Sequence, residues 1–334
     1  MIMRKLKVSL LRCAMAFCMA PIFGLVSSAP AHAQELRASA PIRLIVPYGA
    51  GGPTDVVARM LVPQLQNILK QVVIVENRAG AGSVIGARVV AGAAPDGHTI
   101  LIGNISTYAI APATMKNPGY DPTKSFAPIV QTSDMGAVMV THPNFPANTI
   151  QEFVAYAKAN PGKISYGSAG VGNSAHLLGE LLKAKAQMDI VHVPYRSGSE
   201  MSTAVMSGQV QFAMTDLSAS IGQIRDGRLK ALAVTGVTRS AEFPNLPTMI
   251  ESGYPDIVLR NWTGAAAPAG TPAAIVRKLQ SAISEAIKSP EFQGSIKRLG
   301  GEAKPGTSEE FAALIAADYK KWGEVARAAG VSLD

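Results

Sequence analysis

Short apolar runs alternate with amphipathic segments along most of this chain. Residues 42–46 are mainly apolar, which predicts a strand buried on both faces, and a glycine-rich turn at 48–52 follows. The next apolar positions have helical spacing: Val56, Val57, Met60 and Leu61. Such a strand, loop and helix places unpaired N–H groups and the positive end of a helix dipole above the strand, where they favour a carboxylate or phosphate. An ordinary tight turn in an α/β sheet remains the alternative.

The same unit recurs at once. Residues 72–75 predict a second strand, residues 77–82 a second glycine turn and residues 83–93 a second helix, and a third strand at 99–102 ends in the polar segment 103–107. Strands that alternate with helices predict a parallel sheet, whose ligands bind beyond the carboxyl ends of its strands. The segments 48–52 and 103–107 are therefore expected to lie side by side.

A second lobe is expected after a proline-rich connection at 112–128 and a long extended run at 129–142. In that lobe a strand at 164–167, a glycine loop at 168–173 and a helix at 175–186 repeat the opening unit. Further strands are expected at 190–194, 210–214, 229–235 and 257–267, and terminal helices at 272–288 and 308–329. The predicted organisation is residues 34–136 and 257–334 in lobe 1 and residues 137–256 in lobe 2.

The first 33 residues have the pattern of a signal peptide. Three basic residues precede a mostly apolar stretch, and Ala31, His32 and Ala33 form a small-residue cleavage pattern before Gln34. Both cysteines, Cys13 and Cys18, lie in this segment. The mature chain is therefore expected in the periplasm without a disulfide or a thiol nucleophile.

The charge of the mature chain is modest. The first 33 residues hold four of the 31 Lys and Arg and none of the 23 Asp and Glu, so the formal charge falls from +8 to +4 on maturation. The remaining basic residues are scattered and form no run. This composition argues against nucleic acid as a partner and favours a small anionic ligand.

One motif suggests an enzyme. Residues 170–175 match the dinucleotide-binding pattern G-x-G-x-x-A between a strand and a helix. A nicotinamide enzyme also needs an acid at the end of the next strand, but Asp189 lies at the start of that strand and Tyr195 and Arg196 lie at its end. A loop that binds an anion at a helix terminus is therefore favoured over an NAD-type enzyme.

Few other residues suggest catalysis or metal binding. The chain has no G-x-S-x-G, Walker A or H-E-x-x-H pattern, and His98, His142, His176 and His192 show no metal-ligand spacing. Only His176, one turn into the helix after the second glycine loop, is expected near the cleft. Neither a metal nor a cofactor is expected.

Two acidic residues each have two alternative roles, as a partner of the backbone or as a ligand contact. Asp55 can accept a hydrogen bond from the backbone of its own loop, which is the favoured interpretation, or it can contact a ligand through a water, an amine or a hydroxyl. Asp216 has the same two alternatives, and ligand contact is favoured there because this residue ends a strand at the cleft.

Seven segments in order carry a family resemblance. They are VPYGAGGPTDVVARML, ENRAGAGSVIGARVVAGAAPDGHTILIG, YGSAGVGNSAHLLGELLK, DIVHVPYRSGSEMSTAVMSGQVQFAMTD, LKALAVTG, FPNLPTMIESGYP and APAGTP. The chain resembles the Bug family of periplasmic solute receptors, the binding components of tripartite tricarboxylate transporters, over essentially its whole mature length.

The resemblance implies an α/β periplasmic binding protein of type II, a Venus flytrap with its ligand cleft between two lobes. Backbone N–H groups of the two glycine loops would hold a ligand carboxylate, often through water. The resemblance and the loop analysis together place these residues at the ligand: Tyr48, Gly49, Ala50, Gly51, Gly52, Asp55, Thr107, Ser168, Ala169, Gly172, Asn173, Tyr195, Ser197 and Asp216.

Three positions depart from the usual family pattern. Ala50 replaces a common proline, Ser197 a frequent glycine, and Glu200 a proline or small residue. If Glu200 faces the cleft, its charge would disfavour a second ligand carboxylate by on the order of 1 to 4 kcal/mol.

The expected function is that of a monomeric, non-enzymatic receptor. It would close on a small carboxylate by a hinge near Gly136 and Trp262 and deliver the ligand to the membrane subunits of a transporter. Alternatives are an exported NAD-type enzyme and a receptor of the same kind that serves a signalling partner.

Overall fold

A computed structural model describes residue 36 and residues 40–332. All described residues belong to one structural unit. The predicted signal peptide and its cleavage site lie outside the described residues. Among the described residues, none of the helices has both the length and the apolar character that crossing a bilayer requires.

Ten strands and ten α-helices form the described part. The strands are β1 (Ile42–Val46), β2 (Val73–Asn77), β3 (Thr99–Asn104), β4 (Phe126–Thr141), β5 (Ile164–Ser168), β6 (Ile190–Pro194), β7 (Phe212–Asp216), β8 (Lys230–Val234), β9 (Arg260–Pro268) and β10 (Gly301–Ala303). The helices are α1 (Pro53–Leu69), α2 (Val84–Ala91), α3 (Ala111–Thr114), α4 (Ile150–Ala159), α5 (Ser174–Ala186), α6 (Gly198–Met206), α7 (Leu217–Arg225), α8 (Ala273–Lys288), α9 (Pro290–Arg298) and α10 (Ser308–Ala328).

The first sheet has the order β2, β1, β3, β9, β4 and β10. β1 pairs in parallel with β2 and β3, as the alternating pattern predicts, whereas β9 and β4 are antiparallel to their neighbours. β3 is buried along almost its whole length. The carboxyl ends of β1, β2 and β3 therefore lie at one edge of this sheet, next to the start of β9.

The second sheet has the order β6, β5, β7, β4 and β8, so that β4 belongs to both sheets. β4 pairs with β9 up to Gly136, which is opposite Arg260. From Ala137, which is opposite Asp216, it pairs with β7 and β8. The Thr235 hydroxyl links β4 to the segment before β9, because it accepts from the Ala137 N–H at 3.1 Å and donates to the Leu259 carbonyl at 2.9 Å. A single strand thus carries the chain from one sheet to the other.

Helix starts follow local sequence signals. α1 begins with Pro53 after the extended residue Gly52, and the Thr149 hydroxyl caps α4 by accepting from the Glu152 N–H at 3.1 Å. The pattern of apolar residues predicted neither α9 nor β10, which lie between the terminal helices. α9 has nine residues and buries only Phe292 and Ile296, which is too few apolar positions to show a helical period.

An aromatic cluster lies where β9 enters the first sheet. The Trp262 ring is fully buried, stacks on Tyr108 with 5.8 Å between centroids and meets Phe311 of α10 edge to face. Its indole N–H donates to Asp318 at 2.6 Å. Trp262 thereby fastens α10 to the strand that crosses back into the first sheet.

Candidate functional site

The first glycine loop has an exposed backbone that its own residues only partly satisfy. Gly51 has φ +83°, a conformation that favours glycine, and its N–H donates to the carboxylate of Asp55 at 2.8 Å. Within the described part of the chain, the N–H groups of Gly49, Ala50 and Gly52 meet no acceptor. These N–H groups are available to a ligand at the start of α1.

Asp55 holds this loop in shape. Its buried carboxylate also accepts from the Arg59 guanidinium and from the Asn77 amide, both at 2.8 Å. Burial alone would raise the pKa of Asp55, but the hydrogen bonds from Arg59, Gly51 and Asn77 together lower it. These contacts support the favoured sequence interpretation, in which Asp55 accepts from its own loop.

Tyr48 joins the first loop to the end of β3. Its hydroxyl donates to the Asn104 amide oxygen at 2.5 Å and lies 2.9 Å from the Thr107 hydroxyl. Burial raises the pKa of Tyr48, so the phenol stays neutral. Residues 48–52 and 103–107 are therefore neighbours, as the parallel sheet predicts.

The second glycine loop lies at the start of α5, and, as in the first loop, some of its N–H groups donate to nearby side chains while others have no acceptor. The N–H of Gly172, a residue with φ +76°, donates to Nδ1 of His176 at 3.0 Å, and the Gly170 N–H donates to the Ser168 hydroxyl at 3.2 Å. The Asn173 side chain caps α5 by accepting from the His176 N–H. Within the described residues, three N–H groups of this loop have no acceptor: those of Ala169, Val171 and Asn173.

Two stacked histidines support the second loop. The rings of His176 and His192 lie 3.8 Å apart with 14° between their planes, and His192 Nε2 lies 2.7 Å from the Ser168 hydroxyl. The expectation that only His176 lies near the cleft was wrong. His192 sits in the middle of β6, and only the pairing of β6 with β5 brings it beside Ser168.

Both histidines are held neutral. Burial lowers the pKa of His176, although Glu180 opposes the shift, and burial together with the neighbouring His176 lowers the pKa of His192 to about 4. Neutral His176 can accept from Gly172 through Nδ1, whereas the imidazolium form cannot. The shape of the second loop therefore depends on an uncharged pair.

We expect acid to destabilise the protein through this pair. An unfolded histidine has a pKa near 6.5. Because the folded pKa values are lower, the unfolded state takes up protons first, and stability is lost as pH falls from about 6.5 towards 4. His192 is only half-buried, so its share of the loss stays below about 3 kcal/mol. Urea unfolding at pH 7 and at pH 4.5 measures this loss of stability. His192→Gln keeps a polar side chain and should flatten the difference, while an unchanged pH dependence would contradict the assignment.

The remaining predicted residues occupy strand exits of the second sheet. The Tyr195 N–H donates to the Ser168 carbonyl at 2.8 Å, and Ser197 caps α6 by accepting from the Glu200 N–H. The exposed Glu200 carboxylate accepts from the Arg196 N–H at 3.0 Å. Glu200 is thus engaged within its own loop, and its proposed influence on the ligand stays a prediction.

Asp216 lies where the two sheets meet. Its carboxylate accepts from the Asn261 amide at 2.6 Å, across the junction between β7 and β9. Burial raises the pKa of Asp216, and the bond from Asn261 only partly opposes this shift. The partly buried Asp216 carboxylate can accept further hydrogen bonds beyond the one from Asn261, so this position suits a ligand hydroxyl or amine.

The predicted residues form three groups. The first contains Tyr48, Thr107, Asp55 and the first loop; the second contains the second loop, Tyr195 and Ser197; the third is Asp216. Across the described residues, no hydrogen bond or ion pair joins the first group to the second. The same residues include no cluster of three or more His, Cys, Asp or Glu able to hold a metal.

Three asparagines take part in these hydrogen-bond networks but were not among the predicted site residues. Asn77 and Asn104 end β2 and β3, so the rule that ligands meet strand ends could have drawn attention to them. Asn261 lies within β9 and has no comparable signal, because only the crossing of the sheets brings it to Asp216.

Comparison with known proteins decides the family. The model of the tripartite tricarboxylate transporter family receptor matches residues 57–331. The chain belongs to this receptor family. The receptor is 34% identical to BugT of Bordetella pertussis, over 92% of this chain and 94% of BugT.

Solved structures agree with this assignment and show a two-lobe α/β fold of the periplasmic binding protein type. The receptor resembles the periplasmic binding protein BugD with a TM-score of 0.75 and 37% identity, over 87% of this chain and 98% of that chain. MatC of Rhodopseudomonas palustris, solved with bound malate, matches with a TM-score of 0.74 and 30% identity, over 85% of this chain and 98% of MatC. The fold and the family expected from the sequence are therefore confirmed, and its relatives are binding receptors.

Proposed function

We propose that this receptor captures a small carboxylate between its two glycine loops and passes it to the membrane subunits of a tripartite transporter. The observation that carries the proposal is the pair of loops with unpaired N–H groups, residues 48–52 and 168–173, at the starts of α1 and α5. Helix N-termini bind carboxylates because the N–H groups and the dipole both favour negative charge. Malate in the related MatC is a ligand of this chemical class.

The proposed lobes are residues 34–136 with 257–334 and residues 137–256. The change of β4 from β9 to β7 and β8 between Gly136 and Ala137 supports this division. A hinge there would bring the two glycine loops towards each other, with Asp216 and Asn261 beside the pivot. The receptor would act in the periplasm as a monomer after loss of residues 1–33.

The same geometry supports binding without catalysis. The titratable residues of the loops are engaged in local hydrogen bonds: Asp55 with Gly51, Arg59 and Asn77, and His176 with Gly172. Neither residue is paired with a nucleophile, as an enzyme of the usual acid–base type would require. Ser168 does contact His192, but this serine is fully buried and its hydroxyl donates to the Gly170 carbonyl at 2.8 Å, so His192 Nε2 donates to Ser168 and does not act as its base. An NAD-type enzyme is the second candidate, and the experiment below separates the two.

A thermal-shift screen of residues 34–334 tests the proposal. A ligand present at 100 times its dissociation constant adds about 2.7 kcal/mol, which raises the melting temperature by several degrees. We expect mono-, di- or tricarboxylates to give this rise and NAD to give none. A rise with NAD and none with any carboxylate would favour the enzyme instead.

Gly49→Val provides the matched variant for this screen. A side chain at Gly49 meets no atom within 4 Å and the backbone has no positive φ, so the free protein should melt almost as before. In the complex, the added side chain would block approach to the loop N–H groups. We expect the carboxylate-induced rise to disappear, and a retained rise would show that the first loop does not hold the ligand.

A further inference from the structure

Asp216 stands at the start of α7 but does not cap it. An aspartate at this position normally accepts a hydrogen bond from a backbone N–H of the first helical turn, as the side chains of Asn173 and Ser197 do at the starts of α5 and α6. The carboxylate of Asp216 makes no such bond and accepts from the Asn261 amide instead. The chain thus forgoes a common helix cap and directs this acid to the junction of the two sheets.

The carboxylate of Asp216 has no counter-charge. Among the residues that the structure describes, Asn261 alone donates to it, and no ion pair joins it to a basic side chain. The neighbouring Arg260 points to the opposite face of β9, where it pairs with Asp134. Asp55, by contrast, accepts from three groups of the protein. Asp216 therefore loses part of its hydration without a full replacement, and a ligand group can supply what is missing.

Asp216 shares one face of the first sheet with residues that contact the first loop. Asn104 is opposite Thr263, and Asn261 lies two residues before Thr263, so both asparagines point to the same face. Asn104 accepts from the hydroxyl of Tyr48, the first residue of that loop. Because Asp216 is bonded to Asn261, its carboxylate lies on this face as well.

The same holds for the second loop. β5 and β7 are parallel, with Tyr166 opposite Phe212, so Ser168 and Asp216 further along these strands point to one side. Ser168 begins the second glycine loop. Asp216 and Asn261 therefore lie between the ends of β3 and β5, on the side where both loops lie, and each keeps part of its surface exposed.

We propose that Asp216 accepts a hydrogen bond from an ammonium group of the ligand, so that the receptor selects amino carboxylates over dicarboxylates. The inference rests on the proposed function, because the glycine loops hold the ligand carboxylate. An ammonium group supplies both the donor and the counter-charge that Asp216 lacks, whereas a hydroxyl supplies only the donor. A second carboxylate in the same place is repelled by Asp216.

Calorimetric titration at pH 7 tests this selection with acids that differ only in one group. The first series is butyrate, β-alanine and succinate, the second is pentanoate, γ-aminobutyrate and glutarate, and the third is isobutyrate, alanine and methylmalonate. The three series vary the spacing between the carboxylate and the tested group. In at least one of them the wild type should bind the amino acid about ten-fold or more tightly than the dicarboxylate. A dicarboxylate that binds more tightly in every series would overturn the proposal.

An isosteric variant assigns the preference to Asp216. Asp216→Asn keeps an oxygen that can accept from Asn261 but removes the charge, so the amino acid should lose its advantage of about ten-fold over the dicarboxylate. Asp226→Asn is the matched control, because it removes the same charge from the exposed residue at the other end of α7 and should keep the preference. A preference that survives in Asp216→Asn would contradict the assignment.

Two further results separate this inference from the proposed function. Wild-type binding of γ-hydroxybutyrate as tight as that of γ-aminobutyrate would show that Asp216 does not require a cation, and the selection of ammonium would be wrong. If butyrate, succinate and β-alanine bind alike, the proposed function stands and this inference fails. If no acid of any series binds, the proposed function itself fails. The ranking of acids by the wild type decides among these results even if Asp216→Asn folds poorly.

Discussion

Replacing Trp262 by Ala is expected to remove about 3 to 5 kcal/mol from the free energy of unfolding. The indole ring is fully buried between Tyr108 and Phe311, and its loss leaves a cavity in the core that joins β9 to α10. It also leaves the buried carboxyl of Asp318 without its donor. Urea unfolding followed by circular dichroism measures the change, and a loss below 1 kcal/mol would show that this cluster repacks.

Two phenylalanine variants separate packing from hydrogen bonding. Trp262→Phe keeps an aromatic ring but leaves Asp318 unpaired, which is expected to cost about 1 to 3 kcal/mol in addition to the lost volume. Trp322→Phe is the matched control, because Trp322 is equally buried and its indole N–H has no partner among the described residues. Equal losses in the two variants would mean that the bond to Asp318 contributes little.

Replacing Asp55 by Ala should disable the first loop. The change removes the buried carboxylate that accepts from the Gly51 N–H, the Asn77 amide and the Arg59 guanidinium, and about 2 to 4 kcal/mol of stability should be lost at pH 7. Affinity for any carboxylate found by the screen should fall more than ten-fold. Arg59→Ala removes only the exposed partner of Asp55 and should cost less than about 1 kcal/mol.

The difference in stability between the wild type and Asp55→Ala depends on pH, because the pKa of Asp55 is lowered in the folded protein. A carboxyl whose folded pKa lies below its unfolded value stabilises the fold above that unfolded value, near 3.9, and the contribution is lost as pH falls through the folded pKa. The gap between wild type and Asp55→Ala should therefore be full at pH 7 and shrink in strong acid. A gap that stays constant to pH 2 would contradict an ionised Asp55.

Local signals predicted the elements that carry the glycine loops. An apolar run followed by glycines predicted β1 and the loop before α1, and apolar positions at helical spacing predicted the helix itself. The parallel arrangement of β1 with β2 and β3 also followed from the alternating pattern. These features depend on residues close in sequence, so a single chain is enough to predict them.

The contacts inside the site depend on distant segments and could not be predicted in the same way. Neither the stacking of His192 on His176 nor the bond from Asn261 to Asp216 has a signal in spacing, because each needs the sheet order. Ser83 was expected to begin a helix, and its sequence gave no sign of its positive φ.

The position of β9 sets the order in which the fold can be completed. β9 lies between β3 and β4 in the first sheet, although residues 105–259 separate it from β3 along the chain. Residues 99–141 are synthesised long before residues 260–268. The edges of β3 and of the first half of β4 that pair with β9 therefore stay unpaired until β9 is available. Contacts between such distant segments form slowly. The first sheet is therefore assembled late, when the chain is almost finished, and until then two apolar strand edges are open to whatever binds unfolded polypeptide.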